Sequence, residues 1–253
     1  ASGADGIVLD VKTGSGALME TLPDALALAQ TMVDIGKLAG KPVVAVITSM
    51  AQPLGTHIGN ALEVKDAIDV LAGRTQGDLL EISLLLGSHM LLLAEKAKTL
   101  PEARAMLENA LSSGAGLRKL AEMIAAQGGD PRVVEDLSLL PQAEVKRVMR
   151  AEMAGYLSAM DTTALGMAAQ RMGAGRAKKS DMLDYSVGYV LHVRLGDEVT
   201  EDTLLATLYA RNEAEAEEAE KAIRKALTIA KEKPSVPPLW DAVVTAEGIT
   251  YNR

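Results

Sequence analysis

The strongest constraint on the fold lies in the first 48 residues, where two short apolar runs flank one amphipathic segment. "GIVLDVK" (6–12) and "KPVVAVIT" (41–48) are rich in β-branched residues, as strands buried in a parallel sheet are. The intervening "TLPDALALAQTMVDIGKLAG" carries Thr21 as a candidate N-cap and Pro23 in the first turn of a helix. Two strands joined through a helix are expected to be parallel with a right-handed crossover. The pattern predicts an α/β fold.

Further along, helical segments continue to about residue 127, and the texture then changes to short β runs. Asn60 with Glu63 resembles the capping-box start of one of these helices. We expect a parallel or mixed sheet flanked by helices, followed by a C-terminal α+β region of barrel-sandwich type. We predict two domains. Residues 1–143 would form part of a large α/β domain, and residues 144–253 a C-terminal α+β subdomain. The proline-rich tail from Pro234 is expected to lie on the surface.

The composition excludes several classes of function. The chain has no cysteine, which rules out disulfides and thiolate metal sites and fits a cytoplasmic setting. A net charge of −8 and 2% aromatic residues argue against a nucleic-acid surface. The most apolar stretch is interrupted by Glu81 and His89, so it predicts a buried helix and no membrane span. We therefore expect a small-molecule partner.

The turn "KTGSGA" follows the first predicted strand. It lacks the full pattern of a P-loop or of a dinucleotide-binding fold, so Gly14 and Gly16 establish only that positive φ and a close backbone approach are possible. A plain strand-to-helix turn and a ligand-binding turn both remain open. The position at the carboxyl end of a parallel strand favours the second.

The stretch "PLGTHIGNALEVKD" combines an irregular loop with Asp66 on the following predicted helix. Carbonyl oxygens turned inward and one carboxylate would suit a large monovalent cation such as K⁺. The alternative is a structural loop with a solvated Asp66. His57, His89 and His192 are too scattered to suggest a metal cluster. The run "VGYVLHVRLGDEV" has the hydrophobic strand and the Gly-Asp turn of a lipoyl or biotinyl carrier module. The lysine tripeptide to which a carrier attaches its prosthetic group is absent.

Six blocks give a more specific indication. "ADGIVLDVKTGSGALM", "MVDIGKLAGKPVVAVITSMAQPLGTHIGNALEVKDAID", "LGSHMLLLAEKA", "AAQGGDP", "MDTTALGMAAQRMGAGR" and "DYSVGYVLHVRLGDEV" occur in order and together closely resemble the pyrimidine-nucleoside and thymidine phosphorylases. The resemblance implies a two-domain homodimer with a small helical domain and a large α/β domain. It also implies cleavage of thymidine, uridine or deoxyuridine by phosphate, the co-substrate, to give the free base and (deoxy)ribose 1-phosphate.

Carried over by position, the resemblance implies roles for a few residues. Leu18 matches the apolar position that packs against the pyrimidine, where relatives can carry a bulkier Phe. Gly14 and Gly16 would then shape the base pocket and would not bind phosphate. Leu54 and His57 match the loop whose backbone carbonyls bind a structural K⁺ in bacterial members, and Asp66 matches its carboxylate ligand, often Glu in relatives.

The family's phosphate-binding segment and the Arg, Ser and Lys that grip the pyrimidine have no counterpart among these residues. We therefore expect the chain to correspond to the C-terminal part of such an enzyme, to contain no catalytic residue and to be inactive alone. The alternative is a non-catalytic split or truncated subunit that needs a partner chain.

Overall fold

A computed structural model describes residues 3–252 and divides them into two compact units. The first unit comprises the residues up to Ala51, Gln76–Ala115 and the residues from Pro237 onward, and the second comprises Gln52–Thr75 and Gly116–Val236. The units therefore interleave along the chain, whereas the sequence analysis placed one domain boundary between residues 143 and 144. Among the described residues, no helix has both the length and the hydropathy needed to cross a bilayer.

The helices are α1 (Leu22–Leu38), α2 (Asn60–Leu71), α3 (Asp78–Leu93), α4 (Leu100–Ser112), α5 (Ala115–Ala126), α6 (Thr162–Ala169) and α7 (Glu213–Ala226). Short 3₁₀ turns lie at Pro131–Val134 and Leu137–Leu139, and a π-helical turn at Gln170–Ala174. The strands are β1 (Ile7–Thr13), β2 (Val43–Ser49), β3 (His57–Ile58), β4 (Val145–Arg150), β5 (Gly155–Met160), β6 (Gly188–Leu191), β7 (Glu198–Val199), β8 (Leu204–Ala210), β9 (Leu227–Ala230), β10 (Trp240–Thr245) and β11 (Gly248–Tyr251).

The first unit is built on a sheet of strand order β1-β2-β10-β11. Strands β1 and β2 are parallel and joined through α1, as predicted. Helix α1 begins after Thr21, whose hydroxyl accepts a hydrogen bond from the Asp24 amide (3.3 Å). On one face of the sheet, Val11 and Ile47 pack with α1. On the other face, Val46 packs with leucines of α3, so the sheet is mixed and flanked by helices.

The tail is less exposed than expected. Residues 240–245 form β10, which lies antiparallel to β2. Ala242, Val243 and Val244 are buried, and each buried valine contributes roughly 1.5–3 kcal/mol relative to leaving it exposed. The prediction of a surface tail was wrong for this strand because pairing with a strand about 200 residues earlier leaves no local signal.

The second unit has the predicted α+β character. Its sheets have the strand orders β3-β6-β8-β4 and β7-β5-β9, and neither closes into a barrel within the described residues. A single core of aliphatic side chains joins them to α6 and α7, with Leu157, Leu208 and Ile223 fully buried at its centre. The buried Tyr189 donates its hydroxyl to the Leu165 carbonyl (2.8 Å), which satisfies the one polar atom of that side chain.

The start of α2 differs by one residue from the prediction. The helix begins at Asn60, and Gly59 is the N-cap. The Glu63 carboxylate accepts a hydrogen bond from the Gly59 amide (3.2 Å), so the glutamate closes the first turn as expected. The Asn60 side chain instead donates to the Ala174 carbonyl (2.8 Å) and ties α2 to another segment of the second unit.

Candidate functional site

The first candidate site is the glycine turn that follows β1. Gly14 and Gly16 have φ angles of 108° and 80°, a region that residues with side chains rarely adopt. A hydrogen bond from the Ala17 amide to the Gly14 carbonyl (3.1 Å) and a bridge between Thr13 and Met19 close the turn. Both glycines thus use the positive φ that the sequence analysis described as possible. The turn lies at the carboxyl end of a parallel strand, where α/β proteins bind ligands.

Leu18 lies at the outer end of this turn. Its side chain is 87% exposed, so nothing within residues 3–252 packs closely on it. Single exposed leucines are common on protein surfaces. This one, however, directly follows a turn that contains two glycines with positive φ. Contact between Leu18 and a pyrimidine stays a prediction.

Next to the turn, Asp10, Lys12 and Thr48 form a polar cluster at the carboxyl ends of β1 and β2. The Lys12 ammonium lies 2.7 Å from an Asp10 carboxylate oxygen and 2.9 Å from the Thr48 hydroxyl. The Thr48 hydroxyl in turn donates to Asp10. Thr48 is 1% exposed, whereas the two charged side chains are half-buried. The ammonium is held in place with one N–H to spare for a further acceptor.

Sequence reasoning missed this cluster. The sequence feature that could have indicated it is the two-residue spacing of Asp10 and Lys12. This spacing puts both side chains on one face of a strand. Thr48 faces Lys12 because the parallel register pairs these two residues. That register cannot be derived from either strand alone.

The second candidate site is the loop 52–58 in the second unit. Two glycines bring it close to β6: Gly59 and Gly188 have φ angles of 137° and 148°. A methyl group on Gly59 would lie 2.5 Å from the Val187 carbonyl oxygen. This close backbone approach allows β3 to pair with β6, and it fixes the carbonyl-rich loop that the sequence singled out.

Asp66 of α2 lies beneath this loop and is 4% exposed. Its carboxylate accepts hydrogen bonds from the Thr56 amide (3.1 Å) and the His57 amide (3.5 Å). No Lys or Arg of the described residues lies within ion-pair distance of it, and its nearest titratable neighbour is His57 Nδ1 at 3.5 Å. The alternative of a solvated Asp66 is therefore excluded. A buried carboxylate with so few donors is costly unless a cation compensates it.

His57 does not supply that charge at neutral pH. Burial lowers the pKa of His57, and the nearby Asp66 carboxylate opposes this only in part. The ring is neutral at pH 7, and its Nδ1 also lies 3.0 Å from the Thr56 hydroxyl. Among residues 3–252, no group of three or more His, Cys, Asp or Glu side chains is placed so that it could hold a metal ion.

Arg194 reaches the same loop from the segment after β6. Its guanidinium donates to the Pro53 carbonyl (2.7 Å) and, more weakly, to the Leu54 and Gly55 carbonyls (3.4 Å each). The neighbouring Leu195 amide donates to the Gln52 side chain (2.9 Å). Three successive carbonyls thus turn toward one positive charge. The sequence analysis considered carbonyls turned toward a bound cation, whereas the positive charge that these three carbonyls meet belongs to the Arg194 side chain.

Of the predicted site residues, Gly14, Gly16 and Leu18 share the turn of the first unit. In the second unit, His57 Nδ1 and the Asp66 carboxylate are 3.5 Å apart, and Leu54 precedes His57 in the same loop, where its carbonyl accepts from Arg194.

Comparison with known proteins decides the family. Residues 1–117 match the model of the glycosyl transferase family, a/b domain, and residues 156–230 match the model of the pyrimidine nucleoside phosphorylase C-terminal domain. The chain belongs to the pyrimidine-nucleoside phosphorylase family.

Two relatives illustrate how close this relationship is. The pyrimidine-nucleoside phosphorylase of Geobacillus stearothermophilus is 52% identical over 213 residues, which cover 84% of this chain and 49% of the relative. That of Staphylococcus aureus (strain USA300) is 46% identical over 245 residues, which cover 97% of this chain and 56% of the relative. The chain thus spans about half the length of the curated relatives it matches.

Proposed function

We propose that the chain forms part of a pyrimidine-nucleoside phosphorylase that cleaves thymidine, uridine or deoxyuridine with phosphate. The products are the free base and (deoxy)ribose 1-phosphate. The observation that carries the proposal is the match of both family models, in order, over residues 1–117 and 156–230. Pyrimidine-nucleoside phosphorylase is also the name of the relatives about half identical to this chain.

In this proposal the glycine turn and Leu18 form one wall of the base pocket. The reaction is a displacement at C1′ of the sugar through an oxocarbenium-like state, and negative charge develops on the departing pyrimidine. Fixed cationic and hydroxyl donors stabilise such charge, and a bound phosphate gains effective molarity. Domain closure would bring the two substrates together. The Asp10, Lys12 and Thr48 cluster supports the turn by fixing the end of β1.

We further propose that these 253 residues alone do not catalyse phosphorolysis. The basis is chemical: the residues assigned to the turn offer a wall for a base but no set of donors for phosphate. The competing proposal is a non-catalytic subunit of split or truncated phosphorylase fold that needs a partner chain. The length coverage of about one half is compatible with both.

One experiment separates these proposals. The chain is assayed alone and as a fusion to the segment of the Geobacillus relative that precedes its matched region, with uridine and thymidine as substrates. We expect phosphate-dependent release of uracil or thymine from the fusion and none from the chain alone. Release without added phosphate would contradict phosphorolysis.

The fusion has two informative controls. Leu18→Asp in the fusion should raise KM for the nucleoside more than for phosphate, because a charge would face the base. A folded fusion without activity would favour the non-catalytic subunit. Activity of the chain alone would overturn the proposal that it is inactive.

We also propose a structural K⁺ held by the Leu54 and His57 carbonyls and the Asp66 carboxylate. All of these ligands are oxygens, and the buried Asp66 has no Lys or Arg partner within the described residues; the Leu54 carbonyl accepts a weak hydrogen bond from Arg194 (3.4 Å), which the ion would have to replace. The ion would neutralise the carboxylate and stiffen the loop. Exchange of K⁺ for Na⁺ should lower the Tm of the chain, and Asp66→Asn should remove the difference. An identical Tm in both salts would count against the site.

The remaining proposals concern assembly and location. A complete protein of this family is proposed to be a cytoplasmic homodimer. Light scattering of the fusion described above tests the dimer, and a monomeric mass at micromolar concentration would argue against it.

A further inference from the structure

A cavity of about 310 Å³ lies in the second unit between α2, the segment 137–143 and strands β4 and β8. Its volume is at the lower end of the range for small-molecule sites. Apolar residues form much of its wall: Ala61, Leu62, Leu137, Leu140, Pro141 and Ala143. None of the residues assigned above to the base or to K⁺ lines it. The cavity is therefore a separate feature of the molecule.

Three hydrogen-bond donors line this cavity without a protein acceptor in residues 3–252. They are the ammonium groups of Lys65 and Lys146 and the hydroxyl of Tyr209. The Lys146 ammonium lies 5.8 Å from the centre of the Tyr209 ring, because β4 and β8 pair these two residues directly. Neither ammonium has a carboxylate among the described residues that line the cavity.

The other polar groups of the wall are already engaged. The Gln142 amide donates to the Leu140 carbonyl (2.8 Å) and the Leu137 carbonyl (3.3 Å), which fixes the segment 137–143. The Ser186 hydroxyl donates to Asp184 (2.6 Å). No carboxylate lines the cavity among the described residues. The charged groups of the described wall are thus two cations and no anion.

The Lys146 charge also affects a nearby histidine. Burial lowers the pKa of His192, and the Lys146 ammonium adds to the effect. A nearby cation disfavours the protonated form of a histidine, so Lys146 and His192 lie close enough to interact.

We propose that this cavity binds the phosphate group of a small phosphate monoester. Two ammonium groups match the two negative charges of the phosphate, and the Tyr209 hydroxyl supplies a third donor for its three terminal oxygens. The apolar wall contacts the organic part of the ligand. The proposal does not depend on the phosphorolysis proposed above, because the two sets of residues do not overlap.

Isothermal titration calorimetry of the 253-residue chain tests this. The probes are ribose 5-phosphate, uridine 5′-monophosphate and inorganic phosphate, with ribose and uridine as uncharged counterparts. We expect one-to-one binding of a phosphate probe, and at least about tenfold weaker binding by the double variant Lys65→Gln/Lys146→Gln. The charge-matched control is Lys231→Gln/Lys233→Gln, which alters two exposed lysines elsewhere and should bind as the wild type does.

Tyr209→Phe keeps the ring and removes only the hydroxyl. This variant therefore tests phosphate binding by the cavity even if the double lysine variant does not fold. It should weaken binding several-fold. Equal affinity for inorganic phosphate and the two esters would assign the site to free phosphate, and tighter binding of an ester would assign it to that ester. Absence of binding by all three phosphate probes would overturn the proposal. So would unchanged affinity in the folded lysine and tyrosine variants, or equal binding of uridine and its monophosphate.

Discussion

The loop 52–58 approaches β6 closely at Gly188. We therefore expect the substitution Gly188→Ala to destabilise the protein strongly. Gly188 has a φ of 148°, and a methyl group there would lie 2.9 Å from the Gly59 Cα and closer still to the Ile58 carbonyl oxygen. An alanine in this backbone region costs of order 1–3 kcal/mol. Relief of the overlap requires β3 to move from β6, and overpacking of this kind costs a further 1–3 kcal/mol, roughly.

The expected loss of unfolding free energy is therefore about 2–6 kcal/mol, with a central value of roughly 4 kcal/mol. With a urea m-value of about 2 kcal/mol/M, the unfolding midpoint should fall by roughly 2 M. Far-UV circular dichroism during urea titration measures this. The matched control is Gly166→Ala in α6, where the added methyl group meets open space. That variant should gain up to about 1 kcal/mol, because alanine favours a helix. A Gly188→Ala midpoint within about 0.3 M of the wild type would refute the argument.

Three further predictions concern the same unit and the histidines. Asp66→Asn should cost about 1–3 kcal/mol in urea unfolding, because a charged acceptor of buried amides is lost; an unchanged midpoint would show that these hydrogen bonds contribute nothing. Arg194→Met keeps the aliphatic stem but removes the donors of three carbonyls, and amide hydrogen exchange in residues 52–58 should become faster while β8 is unaffected. Burial lowers the pKa of His57 and of His89, so the unfolded chain binds more protons at mildly acidic pH. Stability should thus be constant above about pH 7 and fall as the pH drops below about 6.5. His89→Leu should flatten this profile, and a stability independent of pH from about 7 to 5 would contradict the assignment.

The parts of the fold that the sequence predicted are those encoded locally. The strand, helix and strand of the first 49 residues follow from apolar periodicity and from Thr21 and Pro23 at the helix start. Strand β10 was missed because its pairing with β2 is long-range. His89 lies on the buried helix that its apolar neighbours predicted, yet its Nε2 has no hydrogen-bond partner in the described residues. Periodicity places a side chain on a buried face but does not say which atoms it meets.

The candidate sites divide in the same way. Positive φ at Gly14 and Gly16 could be anticipated because glycine adopts positive φ in turns at no steric cost. The inward carbonyls of the loop 52–58 could also be anticipated from its Gly and Pro content. Arg194 could not, because it lies about 140 residues further along the chain and reaches the loop only after β6 has paired with β3.

The loop 52–58 is held by contacts of three physically different kinds. Glycine at 59 and 188 removes steric bulk, the Asp66 carboxylate accepts two loop amides, and the Arg194 guanidinium donates to three loop carbonyls. Residues 52–56 lie outside the β3–β6 pairing, so side chains from elsewhere supply several of the partners of their backbone groups. Amides of the loop donate to a carboxylate, and carbonyls of the loop accept from a guanidinium. Both side chains bind the backbone of the same short segment, so Asp66 and Arg194 variants should show non-additive losses of stability in a double-mutant cycle.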